Sequence, residues 1–429
     1  MEIEREIIND LIAWKESPYR KPLVLQGARQ VGKSWVMEKF GKTMFRNYVR
    51  VNFDGEAELK ADFARTKDPK RIIQLLFQLT GQEIRPQETL IILDEIQECN
   101  DALNTLKYFC EEAPEYAIVC AGSLLGVAMK RNGSSFPVGK VDFMTLYPIS
   151  FKEFLKSYNI KQYNWFSDIH SFEAIPEVVH TQLIESYKMY LACGGMPEAV
   201  SRYLDTKDWN QTEMVIRNIL KAYPLDFSKH INNKDIPRVY QVWNNLQDQL
   251  AKSDRKFRYG LIQKNARARE YESAIEWLCL SGLVHRVYNV QTPRLPVSAY
   301  KDSSAFKLYL TDVGLLRSRF GLDIQVAMKG DTLFTEFKGI LTENYVLQSL
   351  VRQFGNEQFY WTSGNQAEIE FLLPFNRLII PIEVKSGISV KAKSLSEYRK
   401  KYTPKVSVRF SLKNRQNEGD LLNIPLYME

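Results

Sequence analysis

Histidine and cysteine are scarce in this chain. Four histidines and five cysteines are scattered through 429 residues, and no two cysteines form a Cys-x-x-Cys pair. A zinc site or a disulfide framework is therefore not expected. Cys99, Cys110, Cys120, Cys193 and Cys279 read as reduced, mostly buried thiols. Long hydrophobic runs are missing too. No stretch approaches the roughly 20 apolar residues that a bilayer-spanning helix needs, so no membrane partner is expected. The opening segment, MEIEREIINDLIAWKES, lacks the apolar block of a secretory leader. Its Ile3, Ile7, Ile8, Leu11, Ile12 and Trp14 recur at helical spacing instead. The expectation is a cytoplasmic protein.

What is present suits a globular chain of several domains. Hydrophobic residues make up 45% and aromatic residues 12%, enough for cores throughout a chain too long for one of them. The net charge of +7 is unevenly placed. Between Phe375 and Gln416 lie Arg377, Lys385, Lys391, Lys393, Arg399, Lys400, Lys401, Lys405, Arg409, Lys413 and Arg415, against only Glu383 and Glu397. A second basic cluster contains Lys252, Arg255, Lys256, Arg258, Lys264, Arg267 and Arg269. Such asymmetry suits DNA or RNA, or is simply a solvated cationic face.

Periodicity predicts an α/β fold. From Leu23 to about Gly122 apolar strands alternate with helices. TLIILDE and YAIVCAGS are apolar enough for a parallel sheet covered on both faces. The expected organisation is an α/β core over 1–149, a helical extension over 150–225, a winged-helix-like unit over 226–329 and a further α/β domain over 330–429. In the third segment AREYESAIEWLCLSGLVHRV resembles a recognition helix with its wing, where Arg267, Arg269 and Arg286 could meet phosphates. A spacer role is the alternative. Trp361 beside Tyr360 could stack on a base or belong to the core.

Gly27-Ala28-Arg29-Gln30-Val31-Gly32-Lys33-Ser34 matches G-x-x-x-x-G-K-[ST] and stands between an apolar strand and a helix that continues with Trp35. Its glycines let backbone N–H groups turn inward on phosphate oxygens, and the helix N-terminus adds partial positive charge. Lys33 is placed to neutralise the β- and γ-phosphates of ATP, and Ser34 to ligate Mg2+. Leu90-Ile91-Ile92-Leu93-Asp94-Glu95 supplies the companion motif. There Asp94 suits the magnesium ion, and Glu95 is placed to polarise the attacking water. Ser123 closes the next strand, either as a γ-phosphate sensor or as a helix N-cap. Arg131 and Lys140 follow, as a charge supplied to a neighbouring site or as surface cations.

LVLQGARQVGKS, LIILDEIQE, CAGSLLG, LYPISFKEF and CGGMPEA occur in this order. Together with FKLYLTDVGLL, LTENYVLQSL, AEIEFLL and IPIEVKSG they resemble a family of bacterial and archaeal ATPases of the AAA superclass. Those proteins carry a C-terminal domain of unknown function, and the resemblance covers essentially the whole chain. It implies a P-loop NTPase core of AAA type, a helical extension, a winged helix and a C-terminal fold similar to PD-(D/E)XK nucleases. The chain departs from the family at Gly139-Lys140, where Gly-Arg is usual, and at Glu368-Ile369-Glu370-Phe371, where Glu-Val-Asp-Phe is usual.

Residues two apart on a strand share a face, so Glu383 and Lys385 point the same way. Glu370 lies on the adjacent strand and Glu343 on the preceding helix. Converging carboxylates with a lysine suit metal-assisted phosphodiester cleavage, and the resemblance maps the nuclease-like motif onto Glu343, Glu370, Glu383 and Lys385. A second divalent metal is the corresponding expectation; a salt-bridged remnant without catalysis is the alternative. The functional expectation is an ATPase, binding ATP and Mg2+, whose cycle controls a winged-helix and nuclease-like module on nucleic acid. Its rival is a nucleotide-dependent switch for a protein partner, or for further copies of itself, with the nuclease-like domain as an inactive scaffold.

Overall fold

The structure is a computed structural model that describes residues 2–122, 136–169, 171–231, 234–322, 332–364, 367–387 and 393–428. The chain divides into two compact units. One is Arg5–Tyr147 with Leu280–Gly282; the other is Met1–Glu4, Pro148–Cys279 and Leu283–Glu429.

The first unit is built on a wholly parallel sheet of β1 (Leu23–Gln26), β2 (Asn47–Asn52), β3 (Thr89–Asp94), β4 (Ala117–Ala121) and β5 (Asp142–Thr145), in the order β2-β3-β4-β1-β5. Every residue of β3 and β4 is buried, which is why both read as unbroken apolar runs. On one side of the sheet Val24, Val49, Ile91 and Ile118 join a core with Phe53, Phe63, Leu76, Leu106 and Phe109. The helix Pro69–Thr80 shows how local sequence sets its ends. Asp68 accepts from the Lys70 N–H, a proline opens the first turn, and Gly81 closes the helix in the left-handed region. From β1 the chain crosses to the edge at β2 and works back through β3 to β4, which pairs with β1. All strands run the same way, so the segments after β1 and β3 emerge at one end of the sheet. That is where open α/β sheets place their ligands.

The second unit opens with helices, among them Phe151–Tyr158, Glu177–Cys193, Pro197–Thr206, Trp209–His230 and Ile236–Leu250. Ser150 and Glu153 cap the first reciprocally. Tyr259–Ile262 and Ala268–Leu280 follow, then a mixed sheet ordered β12-β13-β11-β10-β9-β8-β6-β7. Its strands are β6 (Val284–Val290), β7 (Lys301–Leu310), β8 (Gln358–Thr362), β9 (Glu368–Phe375), β10 (Leu378–Val384), β11 (Ser407–Ser411), β12 (Gln416–Asn417) and β13 (Leu421–Pro425). The helix Thr332–Phe354 precedes β8, and the helix Lys393–Tyr402 lies between β10 and β11.

The boundary expected between residues 329 and 330 cuts through this sheet, because β6 pairs in parallel with β8, Val287 opposite Gln358. A parallel partner so distant leaves no mark on the local pattern. Trp361 and Tyr360 are fully buried rather than free to stack on a base. Trp361 meets Tyr398 edge-on at 5.1 Å and donates its indole N–H to the Gln291 carbonyl. Two motifs quoted for the family resemblance also find a structural use here. Asp312 of LTDVG, wholly buried, accepts from the Gly195 N–H of CGGMPEA at 2.6 Å and from the Leu315 N–H at 2.9 Å. The same two segments touch so closely that a Cβ on Gly194 would lie 2.7 Å from the Gly314 Cα.

Candidate functional site

The loop after β1 needs its glycines. Gly27 and Gly32 have φ of 144° and 92°, and a Cβ on Gly27 would lie 2.2 Å from the Leu146 carbonyl oxygen. Gln30 also takes a left-handed conformation, with φ of 66°. Gly32 then caps the helix Lys33–Met44, whose first-turn N–H groups face the loop's mouth. Lys33 is buried, and its ammonium donates to the carbonyls of Gly27 and Ala28, both at 2.8 Å. Burial lowers its pKa to about 8, against the opposing pull of Glu95 and Asp94. This is a cation whose charge its surroundings do not fully meet. Trp35, next on the helix, is 41% exposed.

Asp94, at the end of β3 and almost wholly buried, faces this loop. Its Oδ2 accepts from Ser34 Oγ at 2.7 Å and from Arg50 Nη2 at 2.6 Å, and its Oδ1 accepts from the Glu95 N–H at 3.1 Å. Serine hydroxyl and aspartate carboxylate thus form an oxygen pair of the kind hard cations take. Arg50 comes from β2 and also pairs with Glu38. Sequence reasoning missed it, and the alternation of VRVNF gives no hint of its partner. Glu95 stands in the left-handed region with φ of 50°, a costly backbone for a glutamate, and its Oε2 accepts from Gln97 Nε2 at 2.6 Å. Ser123 and Arg131 lie outside the described residues. Lys140 is engaged on the surface by Glu111 at 2.8 Å.

In the second unit Glu343, Glu370, Glu383 and Lys385 do come together. Glu370 and Glu383 sit one step beyond the antiparallel pair Phe371 and Ile382. Lys385 Nζ lies 3.7 Å from Glu370 Oε1 and 3.3 Å from Glu383 Oε1. Further cations enter the cluster. Arg409 donates to Glu383 Oε2 at 3.1 Å, and Arg255 donates to Glu343 Oε1, whose Oε2 accepts from Tyr309 at 3.0 Å. Burial lifts the Glu370 carboxyl to about 7; Lys385 works against that rise, while Glu343 and Glu383 add to it. Burial alone would depress Lys385, but Glu370 and Glu383 outweigh it and hold the ammonium above its ordinary value.

Among the described residues no group of three histidine, cysteine, aspartate or glutamate side chains is arranged to hold a metal ion. The expectation of a second divalent metal therefore gains no support from this cluster. Each carboxylate already has a cation, one of them supplied by a segment that sequence reasoning placed in another domain. The two basic clusters shrink for the same reason. Arg399 pairs with Asp420, Arg409 with Glu383, Arg258 with Asp254 and Arg255 with Glu343. Arg286, expected on phosphate, is only 10% exposed, pairs with Glu272 and stacks over Phe306 at 4.6 Å. Arg267 and Arg269 remain exposed.

Residues 19–155 match the family model of an AAA domain. Residues 184–325 and 338–427 match two further families, each described as a domain of unknown function, DUF8612 and DUF4143. No curated protein matches the chain. Among solved structures, the chain is similar to the Walker-type ATPase PABY2304 of Pyrococcus abyssi, at 15% identity and a TM-score of 0.45, over 74% of this chain and 96% of that one. It is similar to the Aeropyrum pernix ORC1 protein in complex with DNA at 12% identity and a TM-score of 0.30, over 79% and 95%. The Thermotoga maritima RuvB Holliday junction branch migration motor follows at 13% and 0.31, over 68% and 90%. By the family match alone, residues 19–155 are an AAA-type P-loop ATPase-like domain, which implies nucleotide binding and hydrolysis. No helix among the described residues is long and apolar enough to cross a membrane.

Proposed function

We propose that the protein is a magnesium-dependent ATPase whose nucleotide cycle governs a grip on nucleic acid by its second unit, without cleaving it. The observation that carries the first part is the 2.7 Å contact between Ser34 Oγ and Asp94 Oδ2 at the mouth of a glycine loop. In this reading Lys33 leaves its two carbonyls for the β- and γ-phosphates, and the loop's N–H groups hold the remaining oxygens. Ser34 and Asp94 are the residues that would hold magnesium, which when bound offsets negative charge on the phosphates. Glu95, steadied by Gln97, takes the proton of the attacking water.

Three features support the second part. Helices Ile236–Leu250, Tyr259–Ile262 and Ala268–Leu280 followed by the β6–β7 hairpin give the element order of a winged helix. Lys252, Lys264, Arg267 and Arg269 are exposed on and before its last helix. The run of helix Thr332–Phe354, three strands, helix Lys393–Tyr402 and β11 suits a nuclease-like fold, while its carboxylates are matched by cations instead of being free for metal. The test is ATPase activity and equilibrium binding with and without DNA or RNA across a salt series. Replacing Arg267 and Arg269 by alanine should weaken binding alike for all sequences. It should also flatten the log–log salt slope by about one for each phosphate no longer neutralised. If the wild-type protein binds neither nucleic acid even at low salt, this half of the reading fails and the protein-partner switch takes its place.

A further inference from the structure

The cluster around Glu343 raises a question of charge. Glu343, Glu370 and Glu383 are gathered at the junction of one helix and two strands, with side chains 4%, 11% and 1% exposed. Three carboxylates at such close quarters repel one another unless something positive lies between them. A divalent ion is one solution, but it needs oxygen ligands free to close on it at roughly 2.0–2.6 Å. Most of these oxygens already face a cation or a hydrogen-bond donor. Lys385 bridges Glu370 and Glu383, Arg409 takes the far oxygen of Glu383, and Arg255 with Tyr309 takes both oxygens of Glu343. Three cations meet three carboxylates.

Lys385 and Arg409 belong to the same sheet as the acids they serve. Arg255 does not. It arrives from the turn after the helix Ile236–Leu250, with a left-handed backbone at φ of 53° that a non-glycine residue rarely adopts. Its Nη1 reaches Glu343, while its Nε is buried without a hydrogen-bond partner. Oε1 of Glu383 is likewise buried without one, although Lys385 stands near. A guanidinium held in strained backbone and only partly satisfied contributes mainly its charge, which no pH within the folded range removes.

We infer that Arg255 is a built-in cation that stands in for a divalent metal in the Glu343–Glu370–Glu383 cluster, so that this unit folds without one. The inference rests on the reading of the second unit as non-cleaving and supplies its physical cause. It explains why a cluster so rich in acid shows no metal-holding geometry, and it ties the turn at residues 251–258 to the nuclease-like sheet.

The test compares nucleotide-free full-length protein with its variants by thermal unfolding, in a chelator and in several millimolar Mn2+. The wild type should show little shift. Arg255→Ala should unfold earlier in chelator and recover much of the loss in Mn2+, because the ion then binds the folded state. Adding Glu343→Gln to that variant should restore stability in chelator and abolish the Mn2+ response. If Arg255→Ala does not fold in chelator, refolding in Mn2+ should rescue it, and the double variant should fold without the ion. A wild type as responsive to Mn2+ as the variant would overturn the inference, as would a variant that Mn2+ neither stabilises nor rescues. Cleavage of nucleic acid by the wild type is a separate measurement, and would overturn only the non-cleaving reading on which the inference rests.

Discussion

Two lysines, Lys33 and Lys385, each stand beside a pair of carboxylates, and their protonation is pushed in opposite directions. Lys33 is drawn down to about 8 because burial outweighs the pull of Glu95 and Asp94, and its ammonium rests on two neutral carbonyls. Lys385 is raised because Glu370 and Glu383 more than offset its burial. The first lysine's ammonium bonds to neutral carbonyls; the second's pairs with two carboxylates. A site that lacks an anion gains by taking up phosphate, whereas a site with its charges matched gains little from any ion. The contacts thus differ: the loop's lysine rests on neutral carbonyls, while the cluster's lysine bridges two carboxylates.

This contrast can be broken most sharply at Glu95. Glu95→Gln should keep nucleotide binding and slow hydrolysis by about 100- to 10,000-fold, the usual range for a general base, as read from steady-state phosphate release. Hydrolysis at the wild-type rate would remove Glu95 from the chemistry. Next in size, Lys33→Ala should weaken nucleotide binding about 10- to 100-fold by calorimetry, the loss expected when a charged hydrogen bond to phosphate is deleted. The corresponding Lys385→Ala should leave nucleotide affinity untouched; equal effects of the two would erase the distinction. The smallest effect concerns Glu370. Its pKa in the folded chain is about 7, above the ordinary 4.5, so between these values the folded state holds a proton that the unfolded state has released. Stability contributed by this group is therefore lost as pH rises from about 4.5 to about 7, by at most about 1.4 kcal/mol per pH unit. Denaturant unfolding at pH 5, 6, 7 and 8 should show that slope in the wild type and a flatter one in Glu370→Gln. The same slope in both would show that Glu370 titrates as it does in the unfolded chain.

How much of this was legible in the sequence follows from distance along the chain. The glycine loop lies within Gly27–Ser34, and the acidic strand ends in Asp94 and Glu95, so local spacing alone named them. Alternation also placed Glu383 and Lys385 on one face, with Glu370 on the neighbouring strand. The partners that decide what each cluster does come from elsewhere. Arg50 reaches Asp94 from β2, and Arg255 reaches Glu343 from a turn outside the sheet. Periodicity records which face of an element is buried, not which distant cation meets a buried acid. A glutamate in the apolar run GILTENYVLQSLV does signal that a hidden partner exists, though it does not say which. The β6–β8 pairing escaped for a related reason, since parallel partners are joined by no turn whose residues could announce them.

Glu95 sits in the left-handed region, where glycine or asparagine would rest more easily. Neither could take a proton from water. If Glu95 is the general base proposed above, backbone comfort and turnover pull against each other at this position. Drift there would leave a sturdier chain that still closes on nucleotide but no longer lets go by breaking it, and a timer would become a latch.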